Sequence, residues 1–143
     1  MNDLLSDSTS EKLSLAEIRR LSPTALAYLG DAIYELHVRR QHLFPPERLE
    51  RYHQQVVGRV RGSAQAKLLL ALLPYLNPEE QEVVRWGRNG CGRPPRHLPL
   101  ADYQNASGLE TILGYLYLAN LERLKQILAL TDVLAKTVAE IEG

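Results

Sequence analysis

The sequence has few of the residues that would tie the chain to a membrane or to an oxidising compartment. It contains one cysteine, Cys91, so no disulfide can form within the chain. Residues 1–10 are polar and acidic and lack the apolar core of a secretion signal. No apolar run reaches membrane-spanning length, because polar residues interrupt the best candidate, 103–121. We therefore expect a soluble protein in the reducing cytoplasm.

The chain also lacks an excess of either charge, with 17 basic and 17 acidic residues. Net charge alone therefore predicts no polyanionic partner. The distribution is uneven, because the segment 85–96 contains four arginines and no acid. Guanidinium groups bind phosphate, and the glycines between them expose backbone N–H groups to an anion. The segment predicts either a local anion-binding loop or a solvated surface loop, and its composition favours neither.

No alternating strand pattern is present, and helix signals divide the chain. Ser22–Pro23 and Asn77–Pro78 each place a capping side chain before a proline at the first helical position. Ser14 and Glu17 have the spacing of a capping box. The apolar spacing predicts one all-α domain at 14–143, a packed helical bundle, after a flexible tail at 1–13. The predicted helices are 14–21, 23–40, 47–60, 63–76, 78–88, 102–119, 120–129 and 131–142, with a loop at 89–101.

Two apolar stretches carry one acid each. The only charge in 22–34 is Asp31, and the only charge in 103–121 is Glu110. A helix that is apolar on all sides is normally buried, and an ionised carboxylate there needs a partner. Mg²⁺ is often held by one or two carboxylates, and it activates water for attack on a phosphodiester. One hypothesis is a Mg²⁺ site for cutting RNA, made by both acids. The alternative is that each acid pairs with an arginine.

Two side chains are candidates for supporting roles beside these acids. Glu35 lies four residues after Asp31 on the same face of a helix, where like charges are unfavourable unless a positive group is near. Ser107 lies one turn before Glu110, although a hydroxyl in a helix more often bonds a backbone carbonyl. Both are therefore weaker candidates than the two acids.

Other residues indicate packing rather than chemistry. Gly30 costs helix stability, which predicts that another helix approaches closely at this point. His53, His97 and Cys91 lack the spacing of a zinc site. The tyrosines are predicted to belong to the core rather than to stack on bases; they are Tyr28, Tyr34, Tyr103, Tyr115 and Tyr117.

Four segments, taken in order, carry a resemblance to a known family. Y-L-G-D-A-I-Y-E at 28–35 resembles the signature helix of the ribonuclease III superfamily, and G-L-E-T-I-L-G-Y-L-Y-L at 108–118 resembles its second acidic helix. G-S-A-Q-A-K at 62–67 and W-G-R-N at 86–89 resemble motifs of its short Mini-ribonuclease III family. The resemblance extends from about Leu15 to Glu122.

The resemblance implies an all-α ribonuclease III-type endonuclease domain without a separate double-stranded-RNA-binding domain. It implies a homodimer that cuts double-stranded RNA with Mg²⁺ and matures the 23S ribosomal RNA precursor, with a ribosomal protein on the substrate as an open question. We expect 5′ phosphate and 3′ hydroxyl ends. Asp31 and Glu110 fall on the catalytic, metal-binding carboxylates, with Glu35 and Ser107 as outer residues. Larger members carry further acids at the positions of Ala27 and Ser107, and their absence favours one Mg²⁺.

RNA contacts are assigned first to the arginine-rich segment. The candidates are Arg85, Arg88, Asn89, Arg93 and Arg96, followed by Arg59, Arg61 and Lys67 as weaker ones. Two other functions stay open: a non-catalytic dimeric RNA-binding scaffold on the same fold, and a helical dimerisation module. The scaffold predicts duplex binding without cleavage, and the module predicts that Asp31→Asn changes stability alone. The two lone acids favour the enzyme.

Overall fold

The structure, a computed structural model, describes residues 13–142, and this range contains helices and no strand. The helices are α1 (Leu15–Ile18), α2 (Pro23–Gln41), α3 (Leu49–Val60), α4 (Gly62–Leu72), α5 (Pro78–Asn89), α6 (Leu100–Ala119) and α7 (Leu121–Glu142), with a 3₁₀ turn at Leu73–Tyr75. The largely buried α6 packs against α2, α4, α5 and α7. The predicted all-α bundle is confirmed, and α6 is its central helix.

The capping residues of the sequence mark where the helices begin. The Ser22 hydroxyl accepts the N–H of Ala25 at 3.1 Å at the start of α2. The Asn77 side chain accepts the N–H of Glu80 at 2.8 Å at the start of α5, completing a capping box. A second capping box forms at α1. The three capping predictions are confirmed, and they set the first residues of α1, α2 and α5.

Helices α2 and α6 meet at two glycines. A Cβ atom on Gly30 would overlap the backbone carbonyl of Glu110, and a Cβ atom on Gly114 would overlap that of Leu26. Only glycine lets two helix backbones approach this closely. The close approach predicted at Gly30 is confirmed, and it sets the separation between the helix that carries Asp31 and the helix that carries Glu110.

The last helix corrects one prediction. Segments 120–129 and 131–142 form a single helix, α7. The first residue after the predicted break, Thr131, is fully buried, and its hydroxyl donates to the Leu128 carbonyl at 2.6 Å. A threonine whose hydroxyl is hydrogen-bonded to a carbonyl of its own helix does not interrupt that helix, because the hydroxyl does not draw the backbone into a non-helical hydrogen bond.

The remaining differences are small. Helix α4 ends at Leu72, before the predicted end at Leu76, because Pro74 lacks an N–H and the chain continues as a 3₁₀ turn. The predicted tail lies outside the described residues except for Leu13, whose N–H donates to the Leu118 carbonyl at 3.3 Å. Within residues 13–142, every helix is too short or too polar to cross a membrane.

Candidate active site

Asp31 and Glu110 line one cleft of about 200 Å³ between α2 and α6. The cleft is further lined by Pro23, Thr24, Ala27 and Tyr28 from α2, by Tyr103 and Ser107 from α6, and by Gly87 and Cys91 at the end of α5. Gly87 leaves room for the α6 side chain Thr111, which packs against it. The two lone acids of the sequence thus come together, at the point where the two central helices are closest.

The two carboxylates interact directly. Burial is the main reason that the pKa of the Glu110 carboxyl rises to about 8, and its hydrogen bond with Asp31 and the negative charge of Asp31 act in the same direction. A hydrogen-bonding contact from Gln65 opposes this rise. In the metal-free protein Glu110 therefore holds a proton at neutral pH, with Asp31 beside it.

Within residues 13–142, neither acid forms an ion pair with an arginine. The arginines there pair with other acids, such as Arg123 with Glu80 at 2.9 Å and Arg59 with Asp132 at 3.0 Å. The alternative in which each lone acid is neutralised by an arginine is therefore wrong. Two carboxylates without a cationic partner supply the oxygen ligands that Mg²⁺ prefers. The described part of the chain contains no larger group of acids, histidines and cysteines at metal-binding distance, so the donor set fits a cation held by two carboxylates.

The structure brings one of the two supporting candidates to the cleft. Ser107 is buried and lines the cleft beside Glu110, and its carbonyl accepts the hydroxyl of Thr111 at 2.7 Å. Glu35 does not line the cleft, and its carboxylate bonds Arg39 one turn later at 3.1 Å. The positive group that relieves the like charges of α2 is therefore Arg39, within the same helix.

The arginine-rich segment 85–96 is partly helix and partly loop, and the predicted helix at 78–88 and loop at 89–101 are confirmed to within two residues. Helix α5 continues to Asn89, and the irregular backbone occupies 90–99. Because Gly87 and Cys91 line the cleft, this segment forms one of its borders. Arg85, Asn89, Arg93 and Arg96 are exposed, Arg88 is half-buried, and of the weaker candidates Arg61 and Lys67 are exposed.

Arg59 does not lie with the other RNA candidates. Its side chain is 15% exposed and bonds Asp132 of α7 at 3.0 Å. Its guanidinium also lies 5.8 Å from the centre of the Tyr34 ring, and the same Asp132 contacts His37 at 3.0 Å. These contacts join α2, α3 and α7. The prediction of Arg59 as an RNA ligand is corrected, because its guanidinium is largely buried and forms an ion pair with Asp132.

Two residues near the cleft were not predicted from the sequence. Tyr28 was predicted to be core, but 83% of it is exposed. Its spacing with Ala32 and Leu36, four residues apart each, could have predicted its place, because it puts the three apolar side chains on one face of α2. All three are exposed. Gln65 was not singled out, yet it is buried and contacts Glu110. The feature of the sequence that points to Gln65 is that it is the one amide among the buried residues of α4, which are otherwise apolar.

Comparison with known families identifies the class of protein. The model of the Ribonuclease III domain matches residues 24–121, a range that includes both acids and all of α3, α4 and α5. The chain is therefore an endoribonuclease of the ribonuclease III type. Enzymes of this type act on double-stranded RNA and generally depend on a divalent metal.

Individual relatives narrow the class to a family. The chain is 56% identical over 117 residues to the Mini-ribonuclease 3 of Synechococcus sp., covering 82% of this chain and 85% of the relative. It is 42% identical over 119 residues to that of Symbiobacterium thermophilum, covering 81% and 92%. A crystal structure of a Fusobacterium nucleatum protein superimposes with a TM-score of 0.72 at 27% identity, covering 88% of this chain and 98% of that one. The chain belongs to the Mini-ribonuclease III family.

Proposed function

We propose that the chain cleaves double-stranded RNA with Mg²⁺ at the cleft between α2 and α6. The observation that carries this proposal is the convergence of Asp31 and Glu110 in one cleft without a cationic partner from the described residues. Both carboxylates are assigned to the metal, and both are ionised when they hold it. When bound, Mg²⁺ offsets phosphoryl charge and lowers the pKa of water for attack on phosphorus.

The proposed cleavage leaves a 5′ phosphate and a 3′ hydroxyl. A water oxygen bonds to phosphorus, the bond between phosphorus and the 3′ oxygen breaks, and the 3′ oxygen takes up a proton. The chain's contribution is to hold two ionised carboxylates on rigid helices beside the scissile phosphate. Ala27 and Ser107 line the same cleft without adding a carboxylate, which supports one metal ion rather than a pair.

The substrate we propose is the duplex in the precursor of 23S ribosomal RNA. Membership of the Mini-ribonuclease III family supports this assignment. We propose a cytoplasmic location with it, because ribosomes are assembled there. A ribosomal protein bound to that duplex is a further proposed partner. Duplex RNA is recognised mainly by its shape and by contacts to phosphates and 2′ hydroxyls, so a small domain with a basic border suits this substrate.

The proposed RNA surface is the arginine-rich segment that adjoins the cleft, with Arg85, Arg88, Asn89, Arg93 and Arg96, and with Arg61 and Lys67 as outlying candidates. Arg85 and Arg88 line a separate pocket with Gln81. Arg93→Ala is expected to weaken duplex binding and to reduce the salt slope of log K by about one, since each phosphate contact releases counterions. Arg51→Ala is the control, because this exposed arginine on α3 pairs with Glu47. Binding is measured in Ca²⁺ or EDTA across several salt concentrations. Equal salt slopes of log K for Arg93→Ala and the wild type would show that Arg93 does not contact a phosphate of the RNA.

A second surface supports the proposal of a homodimer. Tyr28, Ala32 and Leu36 lie exposed along one face of α2, and Leu36 is 52% exposed. Beside them is an apolar groove of about 320 Å³ that Tyr117 and Leu128 also line. Contiguous exposed apolar residues mark protein interfaces, and a two-fold dimer buries the same patch on both copies. Such a dimer presents one cleft to each strand of a duplex.

Leu36→Glu is expected to shift the protein from dimer to monomer, because it buries a charge in the proposed interface. Leu70→Glu is the matched control, since Leu70 is 57% exposed on α4, outside this groove. Sedimentation velocity at matched concentrations measures the change. A wild-type monomer, or equal dimerisation of both variants, would refute this interface.

The proposed function is tested with the purified wild-type protein on a labelled RNA duplex and on a 23S precursor transcript. Cleavage is expected in Mg²⁺ and not in EDTA, and the products should carry 5′ phosphates that permit ligation without prior phosphorylation. Single-stranded RNA of the same sequence should remain intact. Duplex binding without cleavage on either substrate would instead favour the non-catalytic scaffold.

A further inference from the structure

Gln65 is a buried amide in a helix that is otherwise apolar at its buried positions. It is 3% exposed on α4, whose other buried residues are Ala66, Leu68, Leu69 and Leu72. It does not line the cleft, so it lies behind the carboxylates rather than in the path of a substrate. A polar side chain in such a position loses its water contacts and needs partners within the protein.

The amide nitrogen of Gln65 connects two helices. Nε2 donates to the Val60 carbonyl at 2.7 Å. Val60 is the last residue of α3, and the chain leaves helical geometry at Arg61, so this carbonyl has lost its partner within the helix. The same side chain makes the hydrogen-bonding contact to the Glu110 carboxylate on α6. An amide nitrogen carries two hydrogens, so the bond to Val60 leaves a second N–H able to donate.

The other end of the amide is unsatisfied. Oε1 of Gln65 is buried, and no donor among the described residues bonds it. A buried acceptor without a partner is unfavourable, and an apolar side chain of similar shape, such as methionine, would avoid that cost. The value of this glutamine therefore lies in its N–H groups, which bond the Val60 carbonyl, and in the hydrogen-bonding contact that its side chain makes with Glu110.

We infer that Gln65 is a positioning residue that holds the Glu110 carboxylate in the orientation needed to share a divalent cation with Asp31. Its bond to the Val60 carbonyl fixes the amide, and the fixed amide limits the rotation of the acid. Outer partners of metal-binding side chains orient the ligands in this way. The inference rests on the metal-binding role proposed above for Glu110.

The test compares Gln65→Met with Gln81→Met. Gln81 is the matched control, because its Nε2 also donates to backbone carbonyls, those of Leu73 and Leu76 at 3.1 Å each, and it does not line the cleft. Gln65→Met is expected to lower kcat on duplex RNA by about 10- to 100-fold with little change in KM. It should also require more Mg²⁺ for half-maximal rate. Without RNA, Mg²⁺ alone should raise its Tm less than it raises that of the wild type.

A second variant separates positioning from folding. Gln65→Asn keeps an amide that is one methylene too short to reach both acceptors, and it should show the same losses as Gln65→Met in a folded protein. The Tm without metal is recorded for every variant. The inference is overturned by a folded Gln65 variant with the wild-type kcat and Mg²⁺ response, by an equal loss in Gln81→Met, or by failure of both Gln65 variants to fold. A wild-type protein that does not cleave RNA in Mg²⁺ would reject the proposed function itself.

Discussion

Glu110→Gln is expected to abolish cleavage and, without metal, to make the protein more stable above neutral pH. Loss of one of two metal-binding carboxylates removes charge stabilisation of several kcal/mol from the transition state, which corresponds to a decrease in kcat of at least about 10³-fold. Single-turnover cleavage of duplex RNA in Mg²⁺ measures this loss. Asp31→Asn is expected to lose a similar factor, because the same ion needs both acids.

The gain in stability follows from the raised pKa of Glu110, which lies at about 8 in the folded protein against an ordinary value of 4.5. Between those values the folded state binds more protons than the unfolded state, so the stability of the wild type falls as the pH rises from about 4.5 to about 8. Glutamine does not titrate. It imitates the protonated acid, because it donates to Asp31 and accepts from Gln65. The variant should therefore gain stability relative to the wild type across this pH range, by a few kcal/mol at its upper end.

Urea unfolding in EDTA at pH 5 and at pH 8.5 measures this difference. At pH 5 the two proteins should have nearly equal free energies of unfolding, and at pH 8.5 the variant should unfold at the higher urea concentration. Glu122→Gln is the matched control, because this acid is exposed on α7 and pairs only with Lys125, at 3.5 Å. A gap that is the same at both pH values would show that Glu110 is not the titrating group.

The parts of this fold that the sequence predicts are those set by local chemistry. Ser22 and Asn77 cap their helices with their own side chains, a few residues away from the N–H groups that they bind. The meeting of Asp31 and Glu110 was also predictable, although it is not local, since each is the lone charge of an apolar stretch, Asp31 in 22–34 and Glu110 in 103–121. The caps are encoded within one turn, whereas the meeting of the acids follows from the cost of burying a charge that has no partner.

The parts that were not predicted depend on distant partners. Arg59 has the sequence surroundings of a surface arginine, and only the folded position of α7, which packs against α4 and α6, brings Asp132 to it. Gln65 acquires its role from Glu110, which belongs to another helix. The continuity of α7 through Thr131 depends on burial, because a buried threonine satisfies its hydroxyl within the helix. Residue types and spacing do not encode such partners.

Gly30→Ala is expected to produce the largest loss of stability among the glycine-to-alanine substitutions within residues 13–142. The new Cβ atom would overlap the backbone carbonyl of Glu110, and a backbone cannot rotate away as a side chain does. Helices α2 and α6 would have to separate, which costs about 3 kcal/mol or more. The separation also moves Asp31 away from Glu110, so the protein that still folds should cleave duplex RNA more slowly.

Gly58→Ala is the matched control for this substitution. Gly58 lies in α3, and a Cβ atom built on it meets nothing within 4 Å. Alanine there should raise the free energy of unfolding by about 0.5–1 kcal/mol, because it is the better helix former and restricts the unfolded chain. Urea unfolding of both variants at one protein concentration should show a lower free energy of unfolding for Gly30→Ala and a higher one for Gly58→Ala than for the wild type. A Gly30→Ala protein as stable as the wild type would show that the two helices are not held together by this contact, and that the spacing of the two acids has another origin.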